Sequence, residues 1–318
     1  MNKLSKKSVA VAGVLAIGLS SFLTLPSAQA APKNQARSVV QADWLEKNLD
    51  DPKVVVVEVS TEPGIYERGH IRNSVKIAWH TDLVDTVNRD VVSSVKFQKF
   101  AQAAGISQDT TVVLYGDKNN WFAAWGAWIF NLYGAKDVRI LDGGRVKWEK
   151  DGRALTTAVT TKAKGNFTAT RLDKTLRATL LQDIIPVAKK RVKVDLIDIR
   201  SADEYSGKIF APAGFQELAV RAGHIPGAIN IPWGLNVNAD GTFKTVADLK
   251  KLYADKGIDG KQPIITYCRI GERSSLTWFV LSEILGYDVK NYDGSWTEYG
   301  NTVGVPIENP SGTVWGNS

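Results

Sequence analysis

The 318-residue sequence contains two copies of one pattern, and this repeat restricts the possible folds more than any other feature. Residues 69–75 (GHIRNSV) resemble residues 223–229 (GHIPGAI), and two further matches follow in the same order with similar spacing. Self-similarity of this kind indicates a duplicated structural unit. We therefore predict two related domains. The further matches pair 112–115 (VVLY) with 264–267 (IITY) and 141–144 (LDGG) with 292–295 (YDGS).

Each unit begins with a short apolar run, at 54–59 and at 194–199, which is typical of a buried parallel strand. A second run, at 111–115 and at 263–267, leads through a short polar loop into a segment with helical spacing. Strands that alternate with helices predict an α/β fold. The expected architecture is two tandem domains, each a mostly parallel sheet flanked by helices.

Large apolar residues recur at helical spacing behind the second strand of each unit. This spacing favours a helix face packed against a sheet over a platform for a ligand. The residues are Trp121, Trp125 and Trp128 in the first unit, and Trp278, Leu281 and Leu285 in the second.

The boundaries of the two units divide the chain into five segments. A polar stretch without helical or strand periodicity separates the halves, as expected for a linker. We predict a signal peptide at 1–30, a first domain at 36–157, a linker at 158–172, a second domain at 173–308 and a loose tail at 309–318.

The amino-terminal segment has the features of a secretory signal peptide. Three lysines precede an apolar run over 9–25, and the small-residue pattern Ala28-Gln29-Ala30 follows it. The run contains glycines and serines and is short for a transmembrane anchor, so cleavage after Ala30 is the preferred interpretation. We expect an exported protein, periplasmic or secreted, with no stable membrane anchor after cleavage.

The charge of the chain argues against a nucleic-acid partner. The formal net charge is +7, of which three units belong to the lysines of the predicted signal peptide. The remaining excess is spread along the chain instead of forming basic runs. It is compatible with a small anionic substrate and with an ordinary solvated surface.

The chain has one cysteine, Cys268, so it forms no intramolecular disulfide. Exported proteins normally use cysteines in pairs, which makes a lone one unusual. It is either a small buried apolar side chain or a reactive group. The neighbouring residues distinguish these alternatives.

Cys268 follows a predicted strand and precedes a helix that we expect to begin at Ser274. Unpaired N–H groups at a helix N-terminus favour negative charge, and Gly271 allows the loop to curl so that several amides face one sulfur. The guanidinium groups of Arg269 and Arg273 further favour the thiolate and are suited to a dianionic substrate. We predict an active-site loop that also includes Ile270, Glu272 and Ser274.

This loop, together with 198–201 (DIRS), 223–228 (GHIPGA) and 292–296 (YDGSW), resembles the tandem-domain rhodaneses. The resemblance covers nearly all of the chain after residue 30. It implies that the second domain carries a cysteine that forms a persulfide and that the first domain has lost it. Gly116 or Asp117 would stand opposite Cys268, and neither accepts sulfur, so the first domain is expected to be structural or to help form a pocket.

The resemblance also implies substrate contacts. Arg200 would be a further substrate-binding arginine, and Ile270 stands where some family members have a lysine. Members that act on mercaptopyruvate typically have glycine and then a small hydroxyl residue after the cysteine, whereas here Arg269 and Ile270 follow it. Thiosulfate is therefore the expected donor, and 3-mercaptopyruvate the alternative.

The predicted function is thiosulfate sulfurtransferase activity through a Cys268 persulfide, with cyanide or a small thiol as acceptor and no cofactor. A protein acceptor is a further candidate partner, and a non-catalytic sulfur carrier or binding module is the alternative from another class. Phosphatases that share this fold use Cys-x5-Arg, but Arg273 gives a loop one residue shorter. His70 and His224 lie in the repeated turn and are expected to be structural, and the scattered histidines with one cysteine match no metal site.

Overall fold

The structure is a computed structural model that describes residues 35–216 and 218–316. The predicted signal peptide, residues 1–30, lies outside the described residues. Within the described ranges, no helix is both long enough and apolar enough to cross a bilayer.

The first domain contains a parallel sheet with short and long helices around it. Its strands are β1 (Val39–Val40), β2 (Val54–Glu58), β3 (Ser74–Lys76), β4 (Thr111–Tyr115) and β5 (Asp137–Leu141). Its helices are α1 (Gln35–Ser38), α2 (Ala42–Asn48), α3 (Ile65–Arg68), α4 (Trp79–Asp82), α5 (Ser94–Ala103), α6 (Trp121–Leu132) and α7 (Gly144–Lys150), with a 3-10 turn at Lys118–Asn120.

The second domain repeats this arrangement. Its strands are β6 (Asp195–Asp198), β7 (Ile229–Asn230), β8 (Ile264–Tyr267) and β9 (Val289–Asn291). Its helices are α8 (Ile185–Ala188), α9 (Ala202–Ser206), α10 (Val246–Ala254), α11 (Glu272–Phe279) and α12 (Ser295–Asn301), with a 3-10 turn at Trp233–Asn236 and π-helical turns at Leu180–Ile184 and Val280–Ile284.

Both sheets are parallel, and the four strands of the second sheet have the order of β3, β2, β4 and β5 in the first. The strand order is β1-β5-β4-β2-β3 in the first domain and β7-β6-β8-β9 in the second. Glu58 pairs with Tyr115 at the carboxyl end of the first sheet, as Asp198 pairs with Tyr267 in the second. The predicted α/β fold with two tandem domains is confirmed. β4 and β8 are internal strands of their sheets. Each ends at the carboxyl edge of its sheet, where ligand sites of α/β sheets are found.

The predicted helix faces lie in the core, with one exception. Trp125, Trp128 and Trp278 are fully buried, and a single apolar cluster runs through both domains where α6 packs against α11. Trp121, at the start of α6, is only partly buried and packs edge-on against Trp233 of the second domain at 4.6 Å between ring centroids. Trp121 therefore lies at the edge of the core, where it contacts the second domain.

The segments between and after the domains are attached to them. The predicted linker, 158–172, forms no helix or strand, but it lies along the first domain, where Phe167 is buried and donates its N–H to Ile106. The predicted loose tail, 309–318, differs from expectation in its described part. Val314 forms a bridge with Arg221, and Asn309 donates to the carbonyl of Thr313, so this stretch folds back onto the second domain.

The two histidines of the repeated turn are buried and hydrogen-bonded, as the sequence predicts. His70 Nδ1 lies 2.9 Å from the Tyr66 carbonyl, and His224 Nδ1 lies 2.7 Å from the Tyr205 carbonyl. Each ring also stacks on the tyrosine of that pair. Both histidines thereby fix the same turn in the two domains.

Candidate active site

Cys268 lies between the end of β8 and the start of α11 and is fully buried. Its Sγ accepts a hydrogen bond from the backbone N–H of Gly271 at 3.1 Å. Its own N–H donates to Ser295 Oγ at 3.1 Å, and that hydroxyl lies 4.0 Å from the sulfur. The strand, the N-terminus of α11 and the first residue of α12 therefore hold the sulfur in one place.

Gly271 makes the curl of the loop possible. Its φ is +102°, and a Cβ at this position would lie 2.8 Å from the Asp293 backbone, so both conformation and space require glycine. Its carbonyl accepts from Ser274 Oγ at 2.8 Å and Ser275 Oγ at 3.0 Å. Asn291 Nδ2 donates to the same carbonyl at 3.2 Å. This buried network fixes the loop from the side of the sheet.

The helix after the cysteine begins at Glu272, two residues before the predicted start at Ser274. Gly271, in the left-handed conformation, takes the N-cap position. Glu272 and Arg273 therefore belong to the first helical turn instead of the loop. Their side chains are correspondingly fixed relative to the sulfur.

Arg273 is mostly buried and forms an ion pair with Glu204, with Nη2 to Oε1 at 3.1 Å. Burial alone would lower the pKa of Arg273, but its electrostatic interactions with Cys268 and with the Glu204 carboxylate outweigh burial and raise it. Arg273 thus remains a cation that interacts electrostatically with Cys268. Arg269 donates to the carbonyl of Gln216, and its guanidinium lies 5.3 Å from the centre of the Phe215 ring.

Arg200 is not placed as expected for a substrate ligand. It is 1% exposed, and its guanidinium binds the Asp198 carboxylate at 2.6 Å and the Gly223 carbonyl at 2.7 Å. It also lies 4.6 Å from the centre of the Trp296 ring. The expected direct contact with substrate is therefore corrected: Arg200 is the internal counterion of Asp198, because its donors serve buried acceptors.

A cavity of about 410 Å³ adjoins the loop at the domain interface. Arg269, Ile270 and Arg273 line one side of it. The opposite wall is apolar and aromatic and includes residues of both domains, so the first domain helps to form the pocket. This wall includes Trp121, Phe122, Phe215, Pro232 and Trp233. A second cavity, of about 460 Å³, lies beyond Ile270 and contacts neither Arg269 nor Arg273, so we assign the candidate site to the first cavity.

Glu272 is a feature of the site that the sequence pattern did not single out beyond its place in the loop. Its side chain is 2% exposed and pairs with Arg89 of the first domain at 3.1 Å. Burial raises the pKa of Glu272 to about 7, although Arg89 opposes the shift. The signal available in the sequence was one acidic residue within a loop that carries two arginines.

In the first domain Gly116 occupies the position equivalent to Cys268. Of the two residues that the repeat allowed, Gly116 and Asp117, the structure therefore selects Gly116. The N–H of Arg145 donates to the Gly116 carbonyl at 3.0 Å, as the N–H of Trp296 donates to the Cys268 carbonyl at 3.0 Å. A Cβ at Gly116 would lie 2.3 Å from the Val59 carbonyl oxygen. The backbone of the first domain therefore leaves no space for a cysteine there.

Across the described residues, no group of His, Cys, Asp and Glu side chains has the arrangement of a metal site. The candidate site comprises the sulfur, the Gly271 amide that faces it, two arginines and two buried carboxyl groups, Glu204 and Glu272. Two parallel α/β domains with such a cysteine at the strand–helix junction of one of them define a protein of the rhodanese-type sulfurtransferase class.

Comparison with known proteins agrees with this class. The family model described as "Rhodanese-like domain" matches residues 41–151 and 185–302. The chain therefore belongs to the rhodanese family, with two tandem domains.

The matches to similar proteins extend over nearly the full length of those proteins. A Mycobacterium tuberculosis protein named "Putative thiosulfate sulfurtransferase" is 54% identical over 85% of this chain and 97% of its own. The "Sulfur carrier protein TtuD" of Thermus thermophilus is 51% identical over 85% of this chain and 95% of its own. The crystal structure of the Escherichia coli 3-mercaptopyruvate sulfotransferase SseA matches with a TM-score of 0.69 and 26% identity, over 81% of this chain and 98% of that one.

Proposed function

We propose that the protein is a thiosulfate sulfurtransferase in which Cys268 carries sulfane sulfur as a persulfide. The observation that carries the proposal is the position of Sγ, which accepts the Gly271 N–H beside a cavity lined by Arg269 and Arg273. A helix N-terminus and two cations stabilise the anionic sulfur species that such a cycle requires. Membership of the rhodanese family supports sulfur transfer in general. The two arginines of the loop support thiosulfate as the donor.

In the first half-reaction, the Cys268 thiolate attacks the outer sulfur of thiosulfate. A bond forms between the two sulfurs, the bond to the sulfonate sulfur breaks, and sulfite leaves with the electron pair. The persulfide anion then occupies the amide cradle. Arg269 and Arg273 offset the charge of the dianion and of the departing sulfite.

The identity of the loop residues supports thiosulfate over 3-mercaptopyruvate. Two guanidinium groups beside one sulfur suit a compact dianion, and Ile270 adds no polar contact for an organic acid. A phosphatase function receives no support, because the loop is short and the similar proteins reported above are named for sulfur chemistry.

A second candidate function is sulfur delivery to a partner protein. The 51% identical relative named a sulfur carrier protein favours it. The cavity is also much larger than thiosulfate, and its aromatic wall offers contact area to an organic or protein thiol. Turnover with cyanide or a small thiol supports the enzyme, whereas transfer only to a protein acceptor supports the carrier.

We also propose that the protein is exported, with cleavage after Ala30. The basic, apolar and small-residue segments of 1–30 support this proposal. The amino-terminal sequence of the protein recovered from its native host tests it. A mature chain that begins at Ala31 is the expected result, and an intact Met1 would contradict it.

The persulfide cycle is tested by intact mass before thiosulfate, after thiosulfate and after subsequent cyanide. We expect a gain of one sulfur atom that cyanide removes, and no gain in Cys268→Ser. If the protein gains sulfur from 3-mercaptopyruvate but not from thiosulfate, 3-mercaptopyruvate is the donor and thiosulfate is not. Failure with both donors would refute the proposed function.

A further inference from the structure

Two enclosed polar atoms beside the cavity have no hydrogen-bond partner among the described residues. They are Oε2 of Glu272 and Nε1 of Trp121, and both side chains line the cavity. Buried polar atoms in native proteins are nearly always paired, so an unpaired carboxylate oxygen beside a cavity is available to a polar group that enters it. In Glu272 the other oxygen, Oε1, is held by Arg89 at 3.1 Å.

The surroundings of Glu272 keep its carboxyl group near the point of ionisation at neutral pH. Arg89 and Arg269 favour its anionic form, while Asp293 and burial oppose it. Asp293 is itself paired with Arg177, which also binds Asp90. The net effect raises the pKa of Glu272 to about 7, the range in which a carboxylate accepts and returns protons most effectively at neutral pH.

The other carboxylate that lines the cavity, Glu204, is unsuited to proton transfer. Its Oε1 binds Arg273 at 3.1 Å, and its Oε2 accepts from the N–H and the hydroxyl of Ser201, each at 3.0 Å. Arg273 and these hydrogen bonds lower its pKa despite burial. Of the two carboxylates, therefore, only Glu272 combines an unoccupied oxygen with a suitable affinity for protons.

The second half of the proposed reaction releases a proton that no residue assigned so far receives. A thiolate, not a thiol, is the nucleophile that attacks a sulfur–sulfur bond. A thiol acceptor with an ordinary pKa of about 8.5 is mostly protonated at pH 7. An acceptor of this class therefore needs a base beside the persulfide.

We propose that Glu272 is the general base for a thiol acceptor and that it removes the S–H proton as the acceptor sulfur attacks the persulfide. This inference rests on the proposed persulfide cycle. An acceptor without a proton to lose, such as the sulfite dianion that predominates above neutral pH, does not need the base. Glu272 thus makes the site selective for thiols over acceptors without a proton to lose.

The step is balanced without an external oxidant or reductant. The proton passes from the acceptor thiol to Oε2 of Glu272, and the acceptor sulfur bonds to the outer sulfur of the persulfide. The bond between that sulfur and Sγ breaks, and its electron pair remains on Cys268 as the thiolate. The product is an acceptor persulfide, and Glu272 returns its proton to this product or to water.

The loop that begins after Cys268 borders one cavity, and Glu272 at its other end lines that cavity. Cys268 and Glu272 bracket a loop of three residues, and Arg269 and Ile270 of that loop line the cavity with Glu272. Oε2 is enclosed by the protein, and catalytic hydrogen bonds often form only after substrate enters. The aromatic wall opposite, with Trp121 and Phe122, accommodates the body of an organic thiol.

The test follows discharge of the preloaded persulfide in a single turnover. The full-length mature protein is loaded with thiosulfate, desalted and mixed with either glutathione or sulfite between pH 6 and pH 10. The variant is Glu272→Gln, which keeps the shape of the side chain. The control is Glu283→Gln, because Glu283 is another buried glutamate that follows on the same helical run but does not line the cavity.

In Glu272→Gln we expect discharge to glutathione to slow by about 100-fold at pH 7, the lower end of what a general base contributes. Discharge to sulfite stays at the wild-type rate. The deficit with glutathione disappears above about pH 9, where the thiol ionises without help. The Glu283→Gln control matches the wild type with both acceptors.

A second variant, Arg89→Gln, tests the proposal without removing the carboxyl group. Loss of the cation raises the pKa of Glu272 further, so the ionisation seen in glutathione discharge moves to higher pH. An ionisation that stays at the wild-type pH would overturn the assignment.

Equal slowing with glutathione and sulfite, or a deficit that does not change with pH, would show that Glu272 only shapes the loop. Unchanged discharge to glutathione would also overturn the proposal. Failure of the wild type to gain sulfur from any donor is a different result, because it removes the persulfide cycle itself and this inference with it.

Discussion

At the scale of single residues, one position separates the chemistry of the two domains. Cys268 and Gly116 follow equivalent strands and share the same backbone hydrogen bond through their carbonyl groups. The two domains nevertheless differ here by more than one side chain, because the Val59 carbonyl fills the place that a side chain at Gly116 would need. The backbone around Gly116 therefore requires glycine.

Gly116→Cys in a Cys268→Ser background should therefore not restore a persulfide. The new Cβ would lie 2.3 Å from the Val59 oxygen, so the backbone must move, with an expected loss of about 1–3 kcal/mol of stability. Intact mass after thiosulfate and urea denaturation measure the two effects. A gain of one sulfur atom by the double variant would contradict this account.

Arg273→Ala should weaken use of thiosulfate more than it slows turnover at saturation. The guanidinium is a mostly buried cation beside the sulfur, and a hydrogen bond to a charged group contributes about 1.5–3 kcal/mol. We expect kcat/KM to fall by about 10- to 100-fold, mainly through KM. Steady-state kinetics over thiosulfate concentration measure this, and Arg171→Ala, at an exposed position, is the matched control. An unchanged KM would remove Arg273 from the donor site.

The sequence predicted the residues of the site better than their contacts. Cys268, Gly271 and the two loop arginines stand close together in the chain, so local pattern was sufficient to group them. Arg200 was misjudged because its partner Asp198 and the Gly223 carbonyl become visible only when the chain is folded. The state of Glu272 depends on Arg89, a residue of the other domain, and no local pattern contains that information.

At the scale of elements, the ends of the four strands predicted from the sequence, β2, β4, β6 and β8, were placed to within one residue, since their apolar runs stop where the buried sheet stops. The start of α11 was placed two residues late, because a glycine in the left-handed conformation can serve as the N-cap without a side-chain acceptor. The earlier start matters for the site. Because α11 begins at Glu272, Arg273 lies in its first turn, where it pairs with Glu204 of α9.

Glu204 joins these two helices, so its charge should stabilise the fold. It closes the capping box of α9 with Ser201 and pairs with Arg273 of α11. Its pKa is lowered in the folded protein, so its contribution is complete above its ordinary value of 4.5 and is lost as pH falls through the lowered value. We expect Glu204→Gln to cost about 2 kcal/mol at pH 7 and little in acid, measured by urea denaturation at both pH values.

The matched control for this prediction is Asp203→Asn, which removes an exposed acidic residue of the same helix. Exposed ion pairs of this kind contribute little, so the control should lie within about 0.5 kcal/mol of the wild type. Equal losses in the two variants would show that Glu204 acts only through general helix electrostatics.

At the scale of the whole molecule, the duplicated first domain is part of the site although it has no cysteine. It contributes Trp121 and Phe122 to the cavity wall and Arg89 to the back of the loop. Arg89 also donates to the Ile270 carbonyl at 2.8 Å. The interface between α6 and α11 belongs to one apolar cluster, so the position of these groups is set by the packing of both domains.

This arrangement keeps Glu272 buried at a cost in stability that depends on pH. The folded protein raises the pKa of Glu272 from an ordinary value of 4.5 to about 7, so between these values the folded state binds more protons than the unfolded state. Stability should therefore fall as pH rises through this window, by about 3 kcal/mol in total, and level off above it. Glu272→Gln has no ionisable group at this position, so its free energy of unfolding should not show this part of the decrease with pH.

The measurement is the free energy of unfolding in urea at pH 5, 6, 7 and 8 for the wild type and Glu272→Gln. The difference between the two proteins should move in favour of the variant as pH rises, with the steepest change in the middle of the window between the two pKa values, at about pH 6. Glu283→Gln again serves as the buried control. A difference that is constant with pH would mean that the carboxyl group ionises normally in the folded protein. That result would contradict the raised pKa of Glu272 on which its role as a base depends.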